Sequence, residues 1–233
     1  MVREAKSGSD YGLKLPNSVT SLAKQSIARK ATAMTLVEVK QHFRAMMNGP
    51  LAQSMREKGL AYRVIFGVEW PRLMELAQEV GKDHQLAQSL WKEDIRECRL
   101  LAGLVQPVES FYPEIADIWV ESMHYPEEAQ YTVLSLFQHL PYASQKAFEW
   151  VAAADEMHQL CGYLLLARLF MQGNPLMRQS EVEYMDQASA ALGSRSLAVR
   201  KAAYDSLMKY SLIGAEQEAL VNKVMCSLES AAN

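Results

Sequence analysis

Apolar residues recur along this chain at intervals of three and four residues, the spacing that places side chains on one face of an α-helix. The segment LVEVKQHFRAMM, which begins at Leu36, carries such a stripe and is followed by the helix-ending sequence Asn48-Gly49-Pro50. No segment alternates apolar and polar residues convincingly, as a half-buried strand does. The pattern therefore predicts an all-α protein.

Signals at helix ends divide the chain into further helices. In WPRLMELAQEVGKD, Pro71 suits a helix start and Gly81 a helix stop, and Asp83 is predicted to cap the next helix. Pro107 ends the apolar run EDIRECRLLAGLV, and Pro126 opens another helix whose first turn carries two glutamates. Similar patterns continue to the end of the chain.

The predicted helices come in pairs with short connections. The more apolar second helix of each pair begins near Asp94, Glu127, Asp155 and Ser196, at intervals of 33, 28 and 41 residues. These irregular intervals fit HEAT-like repeats better than tetratricopeptide or ankyrin arrays. We therefore expect HEAT-like helical hairpins stacked into a curved, right-handed α-α superhelix, with an irregular α-helical bundle as the alternative.

One domain is predicted over residues 18–233, and residues 1–17 are predicted to be disordered or loosely attached. The amino-terminal sequence MVREAKSGSDYG has no apolar stretch behind it, so we expect no signal peptide. The longest apolar run, CGYLLLARLF, has ten residues and is interrupted by Arg168, which makes it too short to cross a bilayer. A cytoplasmic protein without a membrane partner is expected.

Charge is unevenly distributed, although the net charge is only −3. Residues 1–66 contain 11 Lys and Arg against 4 Asp and Glu, a net charge of +7, and the remainder has a net charge of −10. Residues 100–145 contain no Lys or Arg and six carboxylates, which are Glu109, Glu114, Asp117, Glu121, Glu127 and Glu128. The basic first third could contact a polyanion, whereas the acidic middle would repel one.

Signatures of nucleotide, hydrolase and zinc sites are absent from the sequence, which contains no GxxxxGK[ST], GxGxxG, GxSxG or HExxH. The five histidines are scattered, and although His139 and His158 could approach each other in space, we do not expect a metal site there. Cys98, Cys161 and Cys226 are widely spaced in apolar helical settings and are predicted to be reduced core residues. We expect neither a metal nor a cofactor.

The tryptophans lie near helix ends or on the first helices of pairs, and they are Trp70, Trp91, Trp119 and Trp150. We predict that they pack between repeats, with stacking on a nucleic-acid base as the alternative. Arg200 and Lys201 are adjacent at a helix start and could contact phosphates. A solvent-exposed helix face would explain the same two residues.

The segment GLAYRVIFGVEWPRLMELAQEVGKDHQLAQSLWKEDIRECRLLAGLV, which begins at Gly59, resembles the DNA alkylation repair family, the HEAT-like-repeat alkylpurine DNA glycosylases of bacteria. The matching features are Phe66-Gly67-Val68, Pro71 and Leu73, and the later run Glu97-x-Arg99-Leu100-Leu101-Ala102. The pieces AFEWV, YLLLARL and VRKAAYDSL are similar to the family's following repeats, so the resemblance covers about residues 36–212. It implies a C-shaped stack whose concave, basic face holds duplex DNA.

Active members of that family resemble one another in a Trp-x-x-x-Asp, whose Asp stabilises the sugar cation as the alkylated base leaves. They also share an Arg that contacts phosphate and a Trp that packs on DNA. This chain departs from the pattern at each position. The first Trp position falls at Tyr125 or Pro126, the Asp position at Gln130, the Arg position at Leu160, and the last Trp position at Asp205 with Tyr204 beside it.

The resemblance therefore implies a groove lined by Tyr125, Gln130, Leu160, Tyr204 and Asp205 without the catalytic carboxylate. The first hypothesis is a DNA-binding member of the family without efficient glycosylase activity. Five basic residues are predicted to contact DNA phosphates: Arg56, Lys58, Arg63, Arg200 and Lys201.

Two other hypotheses remain open. The acidic middle of the chain favours a protein-binding HEAT scaffold, whose partner would be another protein rather than duplex DNA. The third hypothesis is an active glycosylase that releases 3-methyladenine or 7-methylguanine, with Glu127 or Glu128 replacing the family's Asp in a shifted register. The sequence leaves the oligomeric state undetermined.

Overall fold

The computed structural model describes residues 34–173 and 175–232, and the residues from Leu36 onward form one compact unit. The predicted loose segment, residues 1–17, lies outside the described residues. Within them the chain forms twelve α-helices, the 3₁₀ turns Val108–Ser110 and Phe137–His139, and one isolated bridge between Val64 and Ile95. The helices are α1 (Leu36–Ala45), α2 (Gly49–Glu57), α3 (Trp70–Val80), α4 (His84–Trp91), α5 (Arg96–Val105), α6 (Pro113–Glu121), α7 (Pro126–Ser135), α8 (Ala143–Val151), α9 (Glu156–Phe170), α10 (Arg178–Leu192), α11 (Leu197–Ser211) and α12 (Ala215–Ala232).

The helices form hairpins, and the second helices of the hairpins pack in series. Helix α5 packs on α4, α9 on α8 and α11 on α10, while α5, α7, α9 and α11 each contact the next in that order. These four helices, called here the second-helix row, begin at Arg96, Pro126, Glu156 and Leu197, each within two residues of its predicted start. The predicted all-α stack of helical hairpins is therefore confirmed.

Polar caps and prolines set several helix starts as predicted. The Asp83 carboxylate accepts a hydrogen bond from the backbone N–H of Leu86 at 2.9 Å, which confirms the predicted cap of α4. The Asp155 carboxylate accepts from the N–H of His158 at 3.0 Å and caps α9 in the same way. Pro126 is the first residue of α7, where its missing N–H costs no hydrogen bond.

None of the described helices is long and apolar enough to span a membrane.

Three tryptophans pack between consecutive repeats. The rings of Trp91 and Trp119 are stacked with their centroids 4.0 Å apart and their planes 3° from parallel. Phe111 meets Trp119 edge-on at 4.9 Å, and Phe137 lies 5.2 Å from Trp150. All three indoles are buried, so the predicted inter-repeat packing is confirmed for Trp91, Trp119 and Trp150. 

Trp70 is half-buried and stacks on Tyr131 of α7 at 4.1 Å, so it also joins separate hairpins.

The cysteine prediction is correct at two positions and wrong at the third. Cys98 and Cys161 are buried, and burial raises the pKa of Cys98 to about 12. Cys226 is exposed on α12, whereas Val221 of the same helix is buried. Val221 and Cys226 are five residues apart, so their side chains lie about 140° apart around the helix axis. Because α12 buries Val221, Cys226 lies on a different face of the helix.

Candidate functional site

The second-helix row contains a cavity of about 520 Å³, called here the inner cavity. Side chains four residues apart share one face of a helix, and that spacing accounts for the lining. The lining consists of Pro126 and Gln130 from α7, Leu160 and Leu164 from α9, and Leu197, Ala198, Lys201, Ala202 and Asp205 from α11. The cavity is thus mainly aliphatic, with one amide, one ammonium and one carboxylate. In the described part of the chain, no group of three His, Cys, Asp or Glu residues could hold a metal ion.

Five residues singled out from the sequence come together in this cavity: Pro126, Gln130, Leu160, Lys201 and Asp205. An uncharged amide and an aliphatic side chain therefore line the cavity at the two positions that the sequence resemblance predicts to correspond to the family's Asp and Arg. Lys201 and Asp205 lie one turn apart on α11, and Asp205 is also 3.9 Å from Lys209. Among the described residues, the exposed side chain of Lys201 makes no hydrogen bond or ion pair, so its ammonium group is available to a ligand.

Two predicted groove residues lie outside the cavity lining. Tyr125 packs on Tyr62 with the ring centroids 4.5 Å apart, and its hydroxyl accepts a hydrogen bond from the N–H of Ala61 at 2.9 Å. Tyr125 therefore joins the start of α7 to the loop between α2 and α3. Tyr204 is 47% exposed on α11, beside the lining rather than within it.

Glu127 and Glu128, the alternative catalytic carboxylates, face α5 instead of the inner cavity. Both Glu127 oxygens accept from Arg96 Nε, at 3.0 and 3.1 Å. Glu128 is fully buried, with one oxygen accepting from the N–H of His124 at 2.7 Å and the other 3.2 Å from Arg99 Nε. Both carboxylates thus hold one repeat against the preceding one.

Glu97 anchors the loop that precedes α3. Its fully buried carboxylate accepts from the N–H groups of Phe66, Gly67 and Val68 at 3.1, 3.0 and 3.3 Å. Gly67 has a φ of +75°, and a Cβ at this position would lie 2.3 Å from the Asn48 carbonyl oxygen. The segment that resembles the family contains both Phe66-Gly67-Val68 and Glu97. Because these hydrogen bonds join them, the two features form one structural unit.

The predicted phosphate contacts lie on two parts of the chain. Arg56 and Lys58 are exposed at the end of α2, and Arg63 is exposed in the loop that follows, 3.7 Å from Glu93. On α11, the Arg200 guanidinium donates to the carbonyl oxygens of Ser194 and Arg195 beyond the end of α10. Arg200 is therefore engaged by the backbone, in contrast to its neighbour Lys201.

The ionisation of Glu127 should make stability depend on pH. Burial raises its pKa above the ordinary value of 4.5, and the adjacent Glu128 adds to this, while Arg96 and Tyr62 oppose it. Because the folded-state pKa is raised, the stability contributed by protonation is complete below about 4.5 and is lost as pH rises through the raised value.

We expect the wild type to lose stability relative to Glu127→Gln between pH 4.5 and neutral pH, because the variant cannot ionise at this position. Urea denaturation of both proteins across this range measures the difference. A wild type that gains stability relative to the variant as pH rises would contradict the assignment.

Sequence reasoning missed part of the cavity lining and the buried charges. Leu164 lies four residues after Leu160, and Leu197 four residues before Lys201, so helical spacing could have identified both. The signal for the ion pairs was the presence of three charged residues, Arg96, Glu97 and Arg99, in a helix whose other residues are apolar. All but one residue of α5 are buried, and its charged side chains therefore require partners.

Comparisons with known proteins agree with this architecture. A family model described as DNA alkylation repair enzyme matches residues 39–223. The chain also matches a solved structure from a new family of proteins related to the HEAT-like repeat DNA glycosylases with affinity for branched DNA structures. That match has a TM-score of 0.73 and 14% identity and covers 82% of each chain, so it shows a shared fold. No curated protein matches the chain.

Proposed function

Because the chain belongs to the DNA alkylation repair enzyme family, we propose that it binds DNA, with a preference for branched DNA, and does not excise bases efficiently. The observation that carries the proposal is Gln130 in the inner cavity, at the position that corresponds by resemblance to the family's catalytic Asp. Excision by this family leaves positive charge on the sugar, and an uncharged amide stabilises that charge less than a carboxylate does.

The nearby glutamates do not compensate for Gln130. Glu127 and Glu128 follow the start of α7, but their oxygens are taken by Arg96, Arg99 and backbone N–H groups. Turning Glu128 toward the inner cavity would leave Arg99 buried without its counter-charge, and turning Glu127 would break its hydrogen bonds to Arg96, so both changes are unfavourable. The geometry therefore supports binding more strongly than base excision.

Exposed cations at two places in the chain support a DNA ligand. Lys201 lies at the inner cavity, and Arg56, Lys58 and Arg63 lie at the end of α2 and in the loop after it. Both places would hold phosphates. The fold-related protein with affinity for branched DNA supports a branched ligand over an unbranched duplex. A DNA ligand also accords with the predicted cytoplasmic location.

Reversing the charge of Lys201 should weaken binding to a four-way DNA junction. We expect Lys201→Glu to reduce affinity at least about tenfold, because a charge-assisted contact to phosphate is replaced by repulsion. The slope of log affinity against log salt should fall by about one. Fluorescence anisotropy with a labelled junction and a duplex of the same length measures both effects.

Lys92→Glu is the matched control, since Lys92 is exposed at the end of α4 and does not line the inner cavity. It makes the same change in net charge and should leave junction affinity within about twofold of wild type. If both variants weaken junction binding equally, the loss in Lys201→Glu reflects the change in net charge and not a contact made by Lys201. Wild-type binding that is no tighter to the junction than to the duplex would contradict the preference for branches.

Asp205 favours base excision as a second candidate function. It is a carboxylate in the inner cavity, supplied by α11 instead of α7, with Lys201 one turn away. When the bond between a cationic alkylated base and its sugar breaks, the electron pair leaves with the base and the sugar becomes cationic. A carboxylate at this position could stabilise that cation until water adds.

Release of 7-methylguanine from methylated duplex DNA distinguishes the two candidates. The first predicts no release above background by wild type. The second predicts release that is lost in Asp205→Asn and retained in Asp186→Asn, a control on α10 outside the inner cavity. Release that survives Asp205→Asn would exclude Asp205 as the stabilising carboxylate.

A further inference from the structure

A second groove, of about 460 Å³, lies on the first helices of the hairpins and is called here the outer groove. Its walls include Gln88 and Trp91 of α4 and Ile115, Ile118 and Trp119 of α6. None of these residues lines the inner cavity, whose walls come from α7, α9 and α11. The outer groove is thus separate from the inner cavity.

The floor of the outer groove is apolar because its polar atoms are bonded within the protein. Trp91 Nε1 donates to Ser122 Oγ at 2.8 Å, and Trp119 Nε1 donates to Gln88 Oε1 at 3.4 Å. The Arg99 guanidinium covers Trp91, 4.6 Å from the ring centroid, and is paired with buried Glu128. The floor is therefore suited to an apolar side chain from outside.

The rim of the outer groove is exposed, apolar and acidic. Ile118 is 59% exposed, and Glu114 and Glu121 lie four residues before it and three residues after it on α6. Side chains at this spacing share one helix face. Among the described residues neither glutamate forms an ion pair, whereas Asp117, three residues after Glu114 and four before Glu121 on the same face of α6, pairs with Lys146 at 2.8 Å.

The two rim glutamates have no cation nearby in sequence, since residues 100–145 contain no Lys or Arg. Lys92 is the exposed cation of the groove lining, at the end of α4 next to exposed Asp94. Carboxylates at an exposed apolar rim repel nucleic acid and attract Lys and Arg. The chemistry of this face is therefore complementary to a basic, apolar protein segment.

We propose that the outer groove binds an amphipathic helix of a partner protein. An apolar side chain of the helix packs beside Ile118 over the stacked indoles, and its Lys or Arg residues pair with Glu114 and Glu121. This is the helix-in-groove mode of recognition, in which apolar anchors supply affinity and flanking charges supply orientation. The chain would then join the inner cavity on its second helices to a protein site on its first helices.

The test uses the full chain and a fluorescein-labelled peptide of Leu and Lys, about 18 residues or five helical turns long, with Leu at helical spacing. Fluorescence anisotropy at about 0.1 M salt measures binding. We expect micromolar affinity, and a loss of at least about tenfold in Ile118→Asp and in Glu114→Lys/Glu121→Lys. Glu114, Ile118 and Glu121 are all exposed, so circular dichroism should show an intact fold in both variants.

Glu216→Lys/Glu218→Lys is the control, because it makes the same change in net charge on the exposed first turn of α12. It should leave peptide affinity within about twofold of wild type. The proposal is overturned by undetectable wild-type binding, by equal binding of a Leu and Glu peptide, by an intact affinity in Ile118→Asp, or by equal loss in the control. Junction binding should be unchanged in Ile118→Asp, which separates this site from the DNA site.

Discussion

Replacing Glu97 with Ala is expected to lower the free energy of unfolding by about 3–5 kcal/mol, which is a large fraction of the stability of a typical domain. The change leaves three buried N–H groups, those of Phe66, Gly67 and Val68, without an acceptor. It also removes a carboxylate that lies 3.4 Å from Arg96. Urea denaturation followed by tryptophan fluorescence measures the loss.

Two further variants isolate the role of burial. Glu97→Gln keeps the shape and one oxygen acceptor, so it should cost less than Glu97→Ala but remain destabilising. Glu75→Ala removes a carboxylate that is 61% exposed and paired with Arg72, and it should cost less than about 1 kcal/mol. A Glu97→Ala variant as stable as Glu75→Ala would show that the loop before α3 is held by other contacts.

The fold was readable from sequence because helical period and end signals are local. The apolar stripe, the Asp83 cap of α4 and Pro126 at the start of α7 each act within one or two turns, and such signals located the starts of the second helices to within two residues. Cys226 was misplaced because burial depends on which face of α12 meets its neighbours. That orientation is a property of the packed structure and does not follow from an apolar setting alone.

The family resemblance was readable for a different reason. Gly67 and Glu97 belong to the segment that carries it, and the structure uses both to anchor the loop before α3. They maintain the hairpin stack and lie outside the inner cavity, so they identify the family without indicating whether the chain excises bases. Gln130 bears on that question, and the cavity places it beside Leu160, Lys201 and Asp205.

Charge counting along the sequence overstated the acidity of the middle of the chain. Three of its six carboxylates are paired with cations from adjacent hairpins, 29 to 31 residues away in sequence. These pairs are Asp117 with Lys146, Glu127 with Arg96, and Glu128 with Arg99. Because each partner lies in another repeat, a segment count cannot detect the neutralisation. Glu114 and Glu121, which have no such partner in the described structure, carry the acidic character of the outer groove.

Arg99 is the buried partner of Glu128. Replacing Arg99 with Ala should lower the free energy of unfolding by about 3–5 kcal/mol. Its guanidinium donates to the carbonyl oxygens of Trp91 at 3.0 Å and Ser122 at 2.6 Å and pairs with fully buried Glu128. The variant leaves the Glu128 carboxylate buried without a counter-charge. Denaturation of wild type and variant at neutral pH measures the cost.

The charge left on Glu128 can be tested by a double substitution. Arg99→Ala/Glu128→Gln removes the uncompensated carboxylate, so it should be more stable than Arg99→Ala alone, and the two substitutions should be strongly non-additive. A double variant no more stable than Arg99→Ala would assign the loss to the Trp91 and Ser122 contacts instead.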